Sequence, residues 1–231
     1  MVRNKKIIIA IGGGGFTHNS DEALDEYVVN QVNKPSISLG FLPTASNDNR
    51  EKIDLFYKRF KSQKFKLSHF NLCTSVEGFH EWLLNKDIIY VGGGNTSEMI
   101  NIWKRHNLIK VFKDAYEKGI ILSGISAGAV CWFDWILSDS VSKELSPLKG
   151  ISFLHGSCTP HSSNNNRLLQ FISEIKDGNL PDGIAIDDGV AVLFIDGVPS
   201  EVYSSRINHD AYYVTKDDKI SLKTYIKKLN G

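Results

Sequence analysis

Ile121-Leu122-Ser123-Gly124-Ile125-Ser126-Ala127-Gly128-Ala129-Val130-Cys131-Trp132 is an apolar run that meets a lone hydroxyl between small residues and then continues apolar. Its centre, Gly124 to Gly128, has the form G-x-S-x-G. When a strand turns sharply into a helix, bulky neighbours would collide with the backbone. A serine at that bend stands above the sheet, with the following N–H groups facing the same space. Taken alone, five such residues also fit a tight turn in which Ser126 caps the next helix. The nucleophile reading needs a strand before the serine and a helix after it, and residues 120–123 and the segment opened by Ser126 supply that pattern.

Working outward, short β-branched runs alternate with longer amphipathic segments. Residues 6–10, 36–42, 66–70, 88–91 and 120–123 read as strands; residues 20–32, 49–63, 75–85, 96–105 and 109–118 read as helices. Ser20 is the expected cap of the first helix. In the second, Ile53, Phe56 and Phe60 share a face. This alternation predicts βαβ crossovers, hence an α/β fold of three layers with a mostly parallel sheet and helices on both faces. The last third reads differently. Residues 184–186, 191–195, 201–204, 211–215 and 220–225 are separated by Asp-Gly and Asp-Asp turns, which predicts antiparallel hairpins at the sheet edge or in a small added sheet. Ligands of parallel α/β sheets bind beyond the carboxyl ends of the strands, where Ser126 and the glycine clusters 12–15 and 92–94 all fall.

The 231 residues suit a single catalytic domain over 1–231, with 42% hydrophobic and 23% charged residues, as expected for a packed core. A formal net charge of +1 gives no bulk attraction to nucleic acid or to an acidic membrane, so neither is expected as a partner. Cys73, Cys131 and Cys158 are odd in number and lack C-x-x-C spacing, which argues against a disulfide framework or structural zinc and for a reducing cytoplasm. The apolar stretch 7–11 is too short for a signal h-region, and no run is long enough for a membrane span.

A serine nucleophile needs a base, and the chain has seven histidines. His80 and His106 lie in helical patterns and read as surface residues. His161, in Cys158-Thr159-Pro160-His161-Ser162, sits on a loop stiffened by the proline, with His155 a close rival. A carboxylate must orient the base; between serine and histidine, Asp134, Asp139 and Glu144 are available, with Asp134 expected on the helix after Ser126 and Asp139 freer in its loop. The amides of Gly92-Gly93-Gly94-Asn95-Thr96 follow one strand and open a helix. With the Ala127 N–H they could face a developing oxyanion. No Lys-Ser/Thr follows, so this is not a P-loop, and Gly12 to Gly15 lack the dinucleotide spacing because Thr17 stands where a small residue is required.

Together, Tyr90-Val91-Gly92-Gly93-Gly94-Asn95-Thr96, Gly124-Ile125-Ser126-Ala127-Gly128-Ala129 and Thr159-Pro160-His161 resemble, in order, the peptidase E and cyanophycinase-like serine peptidases, relatives of the class I glutamine amidotransferase and flavodoxin-like folds. The glycine loop after the first strand and Phe41-Leu42-Pro43-Thr44-Ala45-Ser46 extend the likeness over about residues 5 to 200. The resemblance implies Ser126 as nucleophile, His161 as base, and Gly93, Gly94 and Ala127 around the oxyanion. It implies hydrolysis of short peptides, as a dipeptidase or aminopeptidase, through an acyl-enzyme without metal or cofactor, in a monomer or homodimer. For the third triad member it implies Asp139, with Glu144 as the alternative. Ser162 stands where the family shows an aromatic residue, and residues 163–167 copy neither branch. Asn95 and Arg167 are the expected substrate contacts, Arg167 through bidentate pairing with an acidic side chain or a free carboxylate. A glutaminase of this fold would carry cysteine at the elbow, and Cys131 is poorly placed to replace it. A binding module that kept the pocket without catalysis is the rival of another class.

Overall fold

The computed structural model describes residues 5–230. Five strands, β1 (Ile7–Ile11), β2 (Ile37–Leu42), β3 (Phe65–His69), β4 (Ile88–Val91) and β5 (Ile121–Ile125), pair in parallel in the order β3-β2-β4-β5-β1. Ile9↔Ser123 and Val91↔Gly124 set the register at the centre. Between them run α1 (Glu22–Val29), α2 (Arg50–Arg59), α3 (Phe79–Leu84), α4 (Thr96–Arg105) and α5 (Leu108–Glu117).

After the short helix α6 (Ala127–Val130) the chain leaves this sheet and builds a second one from β6 (Phe133–Ser138), β7 (Ser146–Lys149), β8 (Leu154–Thr159) and, beyond α7 (Asn165–Lys176), β9 (Gly183–Ile186). It returns to the first sheet as β10 (Val190–Ile195), antiparallel to β1, and β11 (Val198–Ser204) on the edge. The chain then rejoins the second sheet with β12 (Ala211–Val214) and β13 (Lys219–Ser221), and α8 (Leu222–Asn230) follows. Among the described residues the fold is mixed α/β with two sheets of seven and six strands. The expected hairpins therefore divide: one extends the parallel sheet and the other extends the added sheet.

The period of two along β1 separates two cores. Ile9 and Ile11 join Leu24 and Val28 of α1 and Ile53 and Phe56 of α2. Ile8 and Ala10 join Phe79, Trp103 and Phe112 of α3 to α5, and the same cluster reaches Phe133, Ile136 and Ile184 of the second sheet. Leu137, Ala185 and Val214 point away from that cluster and pack under Phe171 and Ile175 of α7. Phe16, just after the glycine loop, is 1% exposed and meets Phe41, Phe56, Phe60 and Tyr90 edge-on, with ring centroids from 4.9 to 5.7 Å apart. Truncating a side chain so enclosed costs about 3–5 kcal/mol, so Phe16 anchors one end of that loop in the core.

Three expectations are corrected. The helix opened at Ser126 stops after four residues, and Asp134 lies on β6, because Phe133, Ile136 and Leu137 are drawn into two different cores as strand residues. Residues 220–225 are a strand only to Ser221. From there Leu222 and Ile226, four apart, turn one helical face inward. The first helix begins at Glu22 with Asp21, not Ser20, at its cap position.

Candidate active site

Ser126 stands between β5 and α6 with φ 53° and ψ −114°, a backbone region that costs a non-glycine residue on the order of 1–3 kcal/mol. Its N–H is tied to the Ile11 carbonyl of the neighbouring strand (2.9 Å), and its own carbonyl accepts from Ala129 and Val130. The tightness has steric causes. A Cβ on Gly124 would strike the Gly128 backbone, and one on Gly128 would strike the Val91 carbonyl of β4. The small residues of the motif thus let elbow and sheet touch.

The Ser126 Oγ lies 2.8 Å from His161 Nε2. His161 follows β8, with φ 55°, so both members of the pair are held in left-handed backbone. His161 Nδ1 is 2.5 Å from Asp188 Oδ1. The hydrogen bond from His161, aided by Ser163 and Arg206 and opposed by burial, lowers the Asp188 carboxyl to about 2. An ionised carboxylate only accepts, so Nδ1–H donates to Asp188, leaving Nε2 to accept the serine proton.

The expected acids are not there. Asp139 lies across the pocket, where its Oδ2 accepts from Arg167 Nη2 at 3.0 Å. Glu144 is exposed, with its carbonyl bonded to Ser142. Asp134 binds His155 and the Gly156 N–H, and the fully exposed His155 is removed as a rival base. The reason is topological: β9 lies beside β8, so the turn after β9 brings Asp188 next to His161, whereas the loop after β6 opens on the other side of the pocket. Asp187-Asp188 reads in the sequence as a hairpin turn. The available signal was an acidic pair directly after a buried strand, placed after the histidine instead of before it.

Two hydroxyls pin the histidine loop to that turn. Ser162 Oγ donates to Asp187 Oδ1 (2.6 Å), and Ser163 Oγ donates to Asp188 Oδ2 (2.7 Å). Ser162, where an aromatic residue was expected from the resemblance, therefore has a structural task. The glycine loop after β1 closes the other side of Asp188. The Gly189 N–H donates to the Gly13 carbonyl (2.8 Å), and a Cβ on Gly13 would collide with Asp188 and His161. The loop that fails the dinucleotide pattern makes room for a carboxylate.

A Cβ on Gly93 would sit 3.2 Å from Ser126 Cβ, so the loop after β4 abuts the serine. The flanking amides are engaged: Gly92 N–H with Leu42, Asn95 N–H with Ala45 and Ser126 N–H with Ile11. None of the described backbone hydrogen bonds uses the N–H of Gly93, Gly94 or Ala127. Asn95 caps α4 by accepting from the Glu98 N–H (3.0 Å), which occupies the side chain expected to hold substrate. A cavity of about 130 Å³ opens beside Ser126, lined by Gly94, Thr96, Ala127, Leu137, His161 and Arg167 among others. Arg167, in the first turn of α7, has only 13% of its side chain exposed and also donates to the Leu137 carbonyl (3.4 Å). Cys131 is buried, and burial holds its thiol well above the usual range.

No helix among the described residues is long and apolar enough to cross a membrane. The family model of peptidase family S51 matches residues 8–201. The uncharacterized peptidase YgaJ of Bacillus subtilis (strain 168) is 38% identical over 212 residues, covering 90% of this chain and 92% of that protein. Two solved structures share the fold at a TM-score of 0.64. One is a protein of Listeria monocytogenes EGD-e assigned to peptidase E (18% identity, 88% of this chain, 100% of that one). The other is a peptidase of an acI-B1 Actinobacterium (15% identity, 95% and 98%). The chain belongs to peptidase family S51 and is a serine-type peptidase.

Proposed function

We propose that the protein hydrolyses short peptides from the N-terminal end through an acyl-enzyme on Ser126. The carrying observation is the single imidazole that touches both the serine hydroxyl, at 2.8 Å, and a carboxylate, at 2.5 Å. In this reading His161 Nε2 takes the proton as Oγ attacks the peptide carbonyl, and Asp188 holds the tautomer and stabilises the imidazolium. The oxyanion forms against the amides of Gly93, Gly94 and Ala127. Such a donor contributes about 10²–10³-fold. Collapse expels the leaving amine with the proton from His161. Water then gives its proton to His161, attacks the ester and releases the acid, restoring Ser126.

The small pocket and Arg167 support a preference for an acidic N-terminal residue. Arg167 matches a substrate carboxylate bidentately if it exchanges Asp139 for it. Asp139, 57% exposed at the rim, is then free to meet the peptide's ammonium. The three free cysteines are consistent with a reducing cytoplasm.

The test is a screen of dipeptides and aminoacyl anilides, acidic and neutral, with a fluorophosphonate probe alongside. Labelling at Ser126, abolished together with hydrolysis in Ser126→Ala, is expected. A wild-type protein left unlabelled, or an active Ser126→Ala, removes the nucleophile and leaves a binding module. Equal rates for acidic and neutral substrates would remove the role given to Arg167 while leaving the mechanism standing.

A further inference from the structure

Three successive glycines after β1 each face a different carboxylate. Gly13 faces Asp188 and Gly15 faces Asp25; between them, a Cβ on Gly14 would strike the carboxylate of Asp21. Asp21 belongs neither to the triad nor to the pocket, yet it is 92% enclosed by the measure of its side chain, which is 8% exposed. It is held in left-handed backbone at φ 45°. Both of its oxygens are engaged. Arg206 Nε donates to Oδ1 (2.8 Å) and Nη2 to Oδ2 (2.7 Å), a bidentate fork, while Ser205 Oγ reaches Oδ1 (2.9 Å) and Ser20 Oγ reaches Oδ2 (2.7 Å).

Arg206 comes from the segment between β11 and β12, remote in sequence. Its aliphatic stem lies against Gly189, where any Cβ would come within 2.6 Å of Cγ and Cδ. Gly189 is the residue after Asp188. Ser205 fastens the same point: its N–H donates to the Gly189 carbonyl (2.8 Å), and its Oγ, with one proton to give, sits between that carbonyl (3.0 Å) and Asp21 Oδ1. The opposite side of Gly189 is bonded to Gly13. The chain that carries the triad acid is therefore held from both sides, and one ion pair joins the two holders.

We infer that Asp21 and Arg206 form a positioning clamp, which locks the glycine loop and Gly189 together and thereby holds Asp188 against His161. The inference rests on Ser126 being the nucleophile. A bidentate pair backed by Ser20, with the Arg206 stem seated against a glycine, fixes the position of the segment it touches as well as adding to stability. Arginine is the residue that supplies such a fork, and lysine cannot reproduce it. Displacements of about 1 Å at a catalytic group cost on the order of 10²-fold in rate.

The experiment reads the rate at which a fluorophosphonate labels Ser126, together with the melting curve, for the wild type, Arg206→Gln, Arg206→Lys, Asp21→Asn and the double variant Asp21→Asn/Arg206→Gln. Wild-type labelling first establishes the nucleophile; its absence overturns the site reading, and the clamp with it. With that established, Arg206→Gln should slow labelling roughly 10- to 100-fold while the protein stays folded. Arg206→Lys should recover only part of the rate, and the double variant should be no slower than the worse single one, since both changes open one clamp. On the preferred peptide substrate kcat should fall while KM holds. Wild-type labelling in Arg206→Gln, slowing only in proportion to the unfolded fraction, or multiplying effects in the double variant would each overturn the clamp.

Discussion

Asp25 and Asp188 are carboxylates that meet the same glycine loop two residues apart, Asp188 at Gly13 and Asp25 at Gly15, and their surroundings push them in opposite directions. The hydrogen bond from His161 draws Asp188 down to about 2. Asp25 is sealed beneath the loop with Arg59 at 2.7 Å and the Tyr90 hydroxyl at 3.0 Å; there burial outweighs both partners and pushes the carboxyl up to about 7. Close donors do not separate them, since each carboxylate has two within 3.0 Å. The difference is water. The Asp188 side chain keeps 29% of its exposure and that of Asp25 2%, so ionisation is cheap for one and costly for the other. The loop thus divides a carboxylate suited to orienting a base from one suited to holding the scaffold.

The largest expected effect tests the first half of that division. Asp188→Asn should lower kcat/KM by about 10³–10⁴-fold with the fold intact, because an amide no longer enforces the Nδ1–H tautomer, whereas Asp139→Asn should change kcat far less. Comparable losses in the two variants, measured on one peptide substrate, would return the orienting role to Asp139. Next, Gly13→Ala should drive Asp188 and His161 apart and slow Ser126 labelling on the order of 10²-fold; unchanged labelling would show that the loop has slack. Arg167→Lys should raise KM for acidic substrates by roughly 10-fold while sparing neutral ones, as expected when a bidentate pair worth about 1.5–3 kcal/mol is reduced to one contact.

The smallest effect concerns Asp25. From about pH 4 to about pH 7 the native protein keeps a proton on Asp25 that the unfolded chain has lost. Stability therefore falls as pH rises through that window and levels off above it. Asp188 has the opposite sign: its contribution is complete above about pH 4 and fades as pH falls toward 2. Thermal melts of wild type and Asp25→Asn at pH 5 and pH 8 should show a decline in the first that is flattened in the second, at about 2–4 °C per kcal/mol for a chain of this size. Parallel curves would mean that Asp25 is ionised throughout.

Much of this was legible in the residues. The G-x-S-x-G elbow, the parallel β1 to β5 core and the Pro160-His161 loop are local patterns, and local patterns follow from steric rules that act over a few residues: small side chains where backbones touch, a period of two or of 3.6 where a face is buried. That reading supplied Ser126 and His161, which the fold brings to 2.8 Å. It failed for the acid because the choice among Asp134, Asp139, Glu144 and Asp188 turns on which strands lie side by side. The sequence run 133–138 also concealed a strand that begins a whole second sheet. Pairing of β8 with β9 is a contact between residues some 26 apart, with Ser157 opposite Gly183, and no periodicity reports it. Hydrophobic pattern and turn chemistry therefore determined which segments would be strands, which bend would carry the hydroxyl and which loop the imidazole. Only the packed structure decided which carboxylate, glycine and arginine close around them, because those contacts are set by long-range strand order and by the exclusion of water.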